Sequence, residues 1–130
     1  MVVLLVEDEE SFSDPLSYML HKQGFEVIVC RSGRSALETF GRRGADLVLL
    51  GLMFAAPLGA EVCRRLRQRS DVPVIMLTTS GGEAGKAAAR EDGASDCMAV
   101  PFTCRELLAR MAAVLSARED SGEVPMALVT

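Results

Sequence analysis

The 130 residues, 49% of them hydrophobic, are enough for one domain with a buried core, and a formal net charge of −4 argues against direct nucleic-acid binding by this stretch. Four cysteines with neither a C-x-x-C pair nor histidine spacing, and His21 as the single histidine, argue against a zinc site and for reduced thiols in a cytoplasmic protein. The opening apolar run ends after Val6 in acids with no basic segment before it, so neither a signal peptide nor a membrane span is expected.

Short Val/Leu/Ile runs alternate with helical patterns, which predicts a parallel sheet with helices on both faces. The first strand, residues 2–6, ends in Glu7-Asp8-Glu9-Glu10. Next comes a helix with Phe12, Leu16, Met19 and Leu20 at i, i+4, i+7 and i+8; Pro15 is expected to bend its early part and Gly24 to stop it. A strand at 25–30 leads to a second helix over roughly Ser35 to Arg43, with Leu37 and Phe40 inward. A third strand, 46–50, runs into Gly51 and a loop before a helix over roughly Ala60 to Arg69. Arg64, Arg65, Arg67 and Arg69 read as the wet face of that helix around buried Val62 and Leu66.

The fourth strand is expected at 74–78. Beyond it, Gly81, Gly82 and Gly85 crowd the start of a helix somewhere in 83–92 whose apolar face is only Ala84, Ala87 and Ala88, so a mobile or irregular segment is expected there. A fifth strand, 96–100, precedes the best-specified helix. Thr103-Cys104-Arg105-Glu106 is a capping box, and Leu107, Leu108, Met111, Val114 and Leu115 form one apolar stripe. After about Ala117 the pattern dissolves, so the domain is assigned to residues 1–117 and a linker to 118–130, whose last residues, Val124 to Thr130, could begin another strand.

In open parallel sheets, functional groups gather beyond the carboxyl ends of the strands, near the point where strand order reverses. An order of 2-1-3-4-5 would put Glu7, Asp8, Gly51, Thr78 and Val100 around one crevice. Four segments occur in register: Glu7-Asp8, the strand and loop from Ala45 to Met53, Val72 to Thr78, and Gly93-Ala94-Ser95-Asp96 leading to Val100-Pro101-Phe102. Over nearly the whole of residues 1–117 they resemble the receiver domain of OmpR/PhoB-type bacterial response regulators, an α/β, flavodoxin-like, doubly wound (βα)5 fold.

That resemblance implies roles residue by residue. Glu7 and Asp8 match the acidic pair that holds Mg²⁺, with the Met53 carbonyl as a further ligand. Thr78 matches the hydroxyl that bonds the phosphoryl group, and Pro101 the residue after a cis peptide. The departures fall in the reactive centre. Gly51 replaces the phosphoacceptor aspartate, Val100 the lysine paired with it, and Cys97 the aromatic switch residue, while Ala55 and Ala56 displace the usual Pro-Gly. Glycine has no carboxylate to phosphorylate. Removing both members of a partly buried charge pair is far less costly than removing one, so Gly51 and Val100 look like a matched loss. Glu7 and Asp8 alone should bind Mg²⁺ weakly at best; an equal reading is that they persist because they end the first strand and favour the positive end of the first helix. No cofactor is expected.

Two functional readings follow. In the first, a phosphorylation-independent receiver forms a homodimer through its fourth helix, fifth strand and fifth helix, where Lys86, Glu91, Asp96, Glu106 and Arg110 resemble the family's charge network; Lys86 to Glu106 and Asp96 to Arg110 are the expected partners. Ordinary solvated charges are the alternative for those residues. Such receivers normally precede a winged-helix DNA-binding domain, so DNA contact is expected only through a domain beyond this chain. The second reading is a sensor for a hydrophobic small molecule in the widened crevice, rimmed by Met53, Phe54, Ala55, Ala56, Pro57 and Leu58; the equal alternative is that Phe54 and Leu58 cover the crevice or meet a partner protein. Heavy use of Arg, Ala and Gly with only Lys22 and Lys86 as lysines fits a GC-rich genome, and the resemblance, by analogy with acceptor-less receivers of such genomes, implies a regulator of antibiotic biosynthesis. No Ser-His-Asp set, Cys-His pair or phosphate-cradling loop suggests an enzyme.

Overall fold

A computed structural model describes residues 1–51, 58–79 and 83–120. Among the described residues ten elements alternate: β1 (Val2–Val6), α1 (Glu10–Lys22), β2 (Glu26–Cys30), α2 (Gly33–Arg43), β3 (Leu47–Leu50), α3 (Leu58–Arg67), β4 (Val74–Thr78), α4 (Glu83–Glu91), β5 (Asp96–Ala99) and α5 (Cys104–Asp120). The strands form one parallel sheet in the order β2-β1-β3-β4-β5, the flavodoxin-like arrangement.

Strand alternation divides the core in two. Leu4, Val6, Val48, Leu50, Val74 and Met76 point to one face and pack with Ala36 of α2, Val62, Cys63 and Leu66 of α3 and Ala89 of α4. Val3, Leu5, Leu47, Leu49, Ile75 and Leu77 point to the other, where Leu16 and Leu20 of α1 and Leu107, Met111 and Val114 of α5 cover them. The central strands are therefore apolar on both sides, and their sequences read as continuous hydrophobic runs.

Local chemistry sets the element ends. Ser32 caps α2 by accepting from the Ser35 N–H at 3.0 Å, so that helix begins two residues earlier than its sequence pattern suggests. The capping box of α5 closes in both directions: Glu106 N–H donates to Thr103 Oγ1 at 3.0 Å, and Thr103 N–H to Glu106 Oε1 at 3.3 Å. Pro15 lies inside α1, which runs unbroken to Lys22. Gly24 follows with a φ of 95°, a conformation that favours glycine.

Several expectations need correction. The helix expected within 83–92 is present as nine residues from Glu83 to Glu91, regular where irregularity was expected; Gly81 and Gly82 lie outside the described residues. Among its described side chains Ala89, 5% exposed, faces inward, whereas Ala87 and Ala88 face outward; the side chain of Ala84 lies outside the described ones. A run of alanines offers no size contrast by which sequence could set helix phase, so packing against β5 sets it. Arg67 is not on a wet face. Half-buried, it donates from Nε to the Gly93 carbonyl at 2.8 Å and from Nη1 to the Val72 carbonyl at 2.6 Å, tying the end of α3 to the segments that open β4 and β5. Helix α5 continues to Asp120, and Arg118 on its last turn pairs with Asp71 at 3.0 Å. Strand β5 ends at Ala99, although the Val100 N–H still reaches the Thr78 carbonyl at 2.8 Å. Residues 124–130 lie outside the described residues. Among those described, no helix is long and apolar enough to cross a membrane.

Candidate functional site

The sheet brings the ends of β1 and β3 side by side. Val6 sits opposite Leu50 in register, the Gly51 N–H donates to the Val6 carbonyl at 2.8 Å, and the Glu7 N–H donates to the Cys30 carbonyl at 2.9 Å. Backbone pairing thus places Glu7 and Gly51 next to each other at the strand ends.

What Glu7 does there was not legible in the sequence. It is completely buried. Its Oε2 accepts from the Glu9 N–H at 2.9 Å, while Oε1 is buried with no hydrogen-bond partner among the described residues. A Cβ built on Gly51 would fall on Glu7 Oε1 and lie 2.8 Å from Glu7 Cδ and 2.9 Å from Glu7 Cβ. The Glu7 side chain therefore occupies the volume into which a side chain at position 51 would project. Gly51 is not among the glycines with a left-handed φ, so space, not backbone conformation, restricts this position to glycine.

The other predicted groups have distinct surroundings. Asp8 is exposed, and Arg31, just after β2, reaches over it with a long 3.5 Å contact from Nη1 to the Asp8 carbonyl and a 3.2 Å ion pair from Nη2 to Glu10. Arg31 was not singled out from sequence, although its position at a strand's carboxyl end was the available signal. Thr78 closes β4 and is 8% exposed. Val100 is half-buried beside it, and the Val100–Pro101 peptide is cis as the resemblance implied. Cys97 lies opposite Met76 in β5 and is buried. Burial first, and then Asp96, push its thiol pKa above the ordinary value, against the pull of Lys86 and Arg110. The result is a neutral, apolar group at position 97.

Met53, Phe54, Ala55, Ala56 and Pro57 lie outside the described residues, as does the side chain of Leu58; the expected crevice rim and the Met53 carbonyl ligand fall there. Among the described residues, no three His, Cys, Asp or Glu side chains gather as metal ligands. Of the acidic pair, Glu7 is fully buried and Asp8 exposed.

On the α4-β5-α5 side, Lys86 is half-buried and Glu91, Glu106 and Arg110 are exposed. Asp96 and Arg110 pair within the chain, Arg110 Nη1 lying 2.9 Å from each carboxylate oxygen. Asp96 Oδ1 also accepts from the Cys97 N–H at 2.8 Å. Glu106 is engaged in its capping box.

Comparison with known proteins agrees with this architecture. Residues 3–112 match the family described as the response regulator receiver domain. The sensory transduction protein RegX3 of Mycolicibacterium smegmatis is 50% identical over 121 residues, 93% of this chain and 53% of that protein. RegX3 of Mycobacterium tuberculosis is 51% identical over 113 residues, 87% of this chain and 50% of that protein. The chain thus spans about half the length of these curated relatives. Among solved structures, the BeF3-activated N-terminal receiver domain of Klebsiella pneumoniae RstA superposes with a TM-score of 0.81 at 30% identity, covering 88% of this chain and 98% of that one. The non-phosphorylated HemR receiver domain of Leptospira biflexa superposes with a TM-score of 0.76 at 27% identity, covering 88% and 94%.

Proposed function

The chain belongs to the response regulator receiver domain family, and from that membership we propose that it acts as a regulatory receiver whose state is not set by phosphorylation. One observation carries the reading: position 51 has no carboxylate, and the Glu7 side chain fills the space that one would occupy. Phosphoryl transfer to a receiver needs an accessible carboxylate as nucleophile. Here the neighbouring carboxylate is fully buried, and Val100 supplies no cation to stabilise charge developing beside it. Mg²⁺ is accordingly not part of the mechanism.

Regulation then works through association. The α4-β5-α5 face carries both signs of charge, and a two-fold homodimer on it pairs Lys86 of one copy with Glu106 of the other, and Asp96 with Arg110. Because Asp96 and Arg110 already pair within one chain, dimer formation exchanges partners and buries no unpaired charge. The chain covers half of relatives named as sensory transduction proteins, and the reading extends to a transcriptional regulator whose DNA-binding part lies outside these residues.

The test uses a small phosphodonor with Mg²⁺, followed by intact mass measurement and, separately, sedimentation without phosphodonor. The expected results are no phosphoryl adduct and a dimer in the micromolar range that Glu106→Lys disrupts. A stoichiometric adduct, or a strict monomer indifferent to Glu106→Lys, removes the corresponding half of the proposal.

A further inference from the structure

Away from the strand ends, α2 and α3 leave between them an open groove of about 830 Å³, within the range of roughly 300–1,000 Å³ typical of small-molecule sites. Its floor is apolar, formed by Leu37 and by Val62. Arginines dominate its walls. Arg34 pairs with Glu38 along α2 at 3.3 Å, and Arg65 with Glu61 along α3 at 3.2 Å. Arg42 on α2 and Arg69 beyond α3 also line the groove and, among the described residues, have no acidic partner. Four arginines against two glutamates leave this lining at +2, on a chain whose formal net charge is −4. A local field of that sign draws anions to this face.

Gly41 helps to shape the groove. Alanine would favour the helix by about 1 kcal/mol. A Cβ at position 41, however, would lie 3.2 Å from Arg69 Nη1, so glycine lets that guanidinium rest against the α2 backbone at the groove wall. The two glutamates matter as well. They place negative charge beside the arginines, which disfavours a run of acidic side chains or phosphates and suits one anionic head group.

We propose that this groove binds a small organic anion with an apolar body, its carboxylate held by Arg42 and Arg69 and its body lying over Leu37 and Val62. The planar guanidinium fork matches a carboxylate in a way an ammonium does not. Its lining includes no residue of α4, β5 or α5, and the site stands independently of how the strand-end crevice behaves.

The test is titration of the ¹⁵N-labelled full chain with naphthalene-2-carboxylate at low ionic strength, following amide shifts. Naphthalene-2-methanol and polyglutamate serve as parallel probes. Saturable shifts confined to α2 and α3 are expected. Arg42→Gln and Arg69→Gln, both at exposed positions, each weaken binding about tenfold, and the neutral alcohol binds weaker by a similar factor. Gly41→Ala, which displaces Arg69 without changing charge, weakens it too. Equal affinity for the alcohol, indifference to the arginine variants, shifts located elsewhere, tighter binding of polyglutamate, or no saturable shift at millimolar probe would each overturn the proposal.

Discussion

Introducing an aspartate at position 51 should destabilise this domain. The new Cβ falls on Glu7 Oε1 and within 2.8 Å of Glu7 Cδ, so the buried glutamate must leave its position before the introduced side chain can enter. Overpacking of this kind costs about 1–3 kcal/mol. A second carboxylate beside a buried one, with Val100 offering no positive charge, adds like-charge repulsion in a poorly solvated site. A total loss of about 2–4 kcal/mol is expected for Gly51→Asp, which lowers the melting temperature by several degrees in a domain of this size. Urea denaturation of Gly51→Asp, Glu7→Ala and the double variant measures the coupling between the two sites. Because both side chains compete for one volume, the double variant should recover at least about 1 kcal/mol relative to the sum of the single changes. Additive losses, or a Gly51→Asp variant as stable as the parent, would refute the claim that Glu7 fills the acceptor's space.

Other consequences are equally direct. Arg67→Ala leaves the carbonyls of Gly93 and Val72 without their donor and should cost about 2–3 kcal/mol, with hydrogen exchange accelerated first in the segments around residues 70–73 and 93–95. Uniform acceleration across the sheet would argue against a local tie. Thr103→Ala removes the acceptor for the Glu106 N–H and should cost about 1 kcal/mol by urea denaturation, whereas Thr103→Ser should cost little. Burial raises the thiol pKa of both Cys63 and Cys97 above 9.0. A folded pKa above the unfolded one favours the fold fully below the unfolded value and loses that contribution as pH rises through the folded one, so stability should decline above pH 9. Alkylation of the native protein near neutral pH should meanwhile modify exposed Cys104 well before buried Cys63 and Cys97. Equal rates at all three would contradict the burial.

How far the sequence reached can be judged from particular residues. The continuous apolar runs of β1, β3 and β4 were enough to predict a parallel sheet covered by helices on both faces, and the four motifs in register, through the family they resemble, supplied the strand order. The capping box at Thr103 was legible because its two hydrogen bonds join residues three apart. The phase of α4 was not, since Ala84, Ala87, Ala88 and Ala89 are interchangeable in hydrophobicity and the choice among them depends on the neighbouring strand. Nor was the placement of Arg67, which joins segments 26 residues apart.

The chain alone determined that position 51 carries no side chain and position 100 no charge; both are matters of residue identity. Only tertiary structure decided what fills the gap. Glu7 and Gly51 are 44 positions apart, brought together by the β1–β3 pairing, and a side chain turns into a vacant neighbouring volume because dense interiors leave few voids. The groove between α2 and α3 has the same origin. Arg42 and Arg69 are ordinary surface residues in sequence, and they become one positive site only when two helices pack side by side on the same face of the sheet.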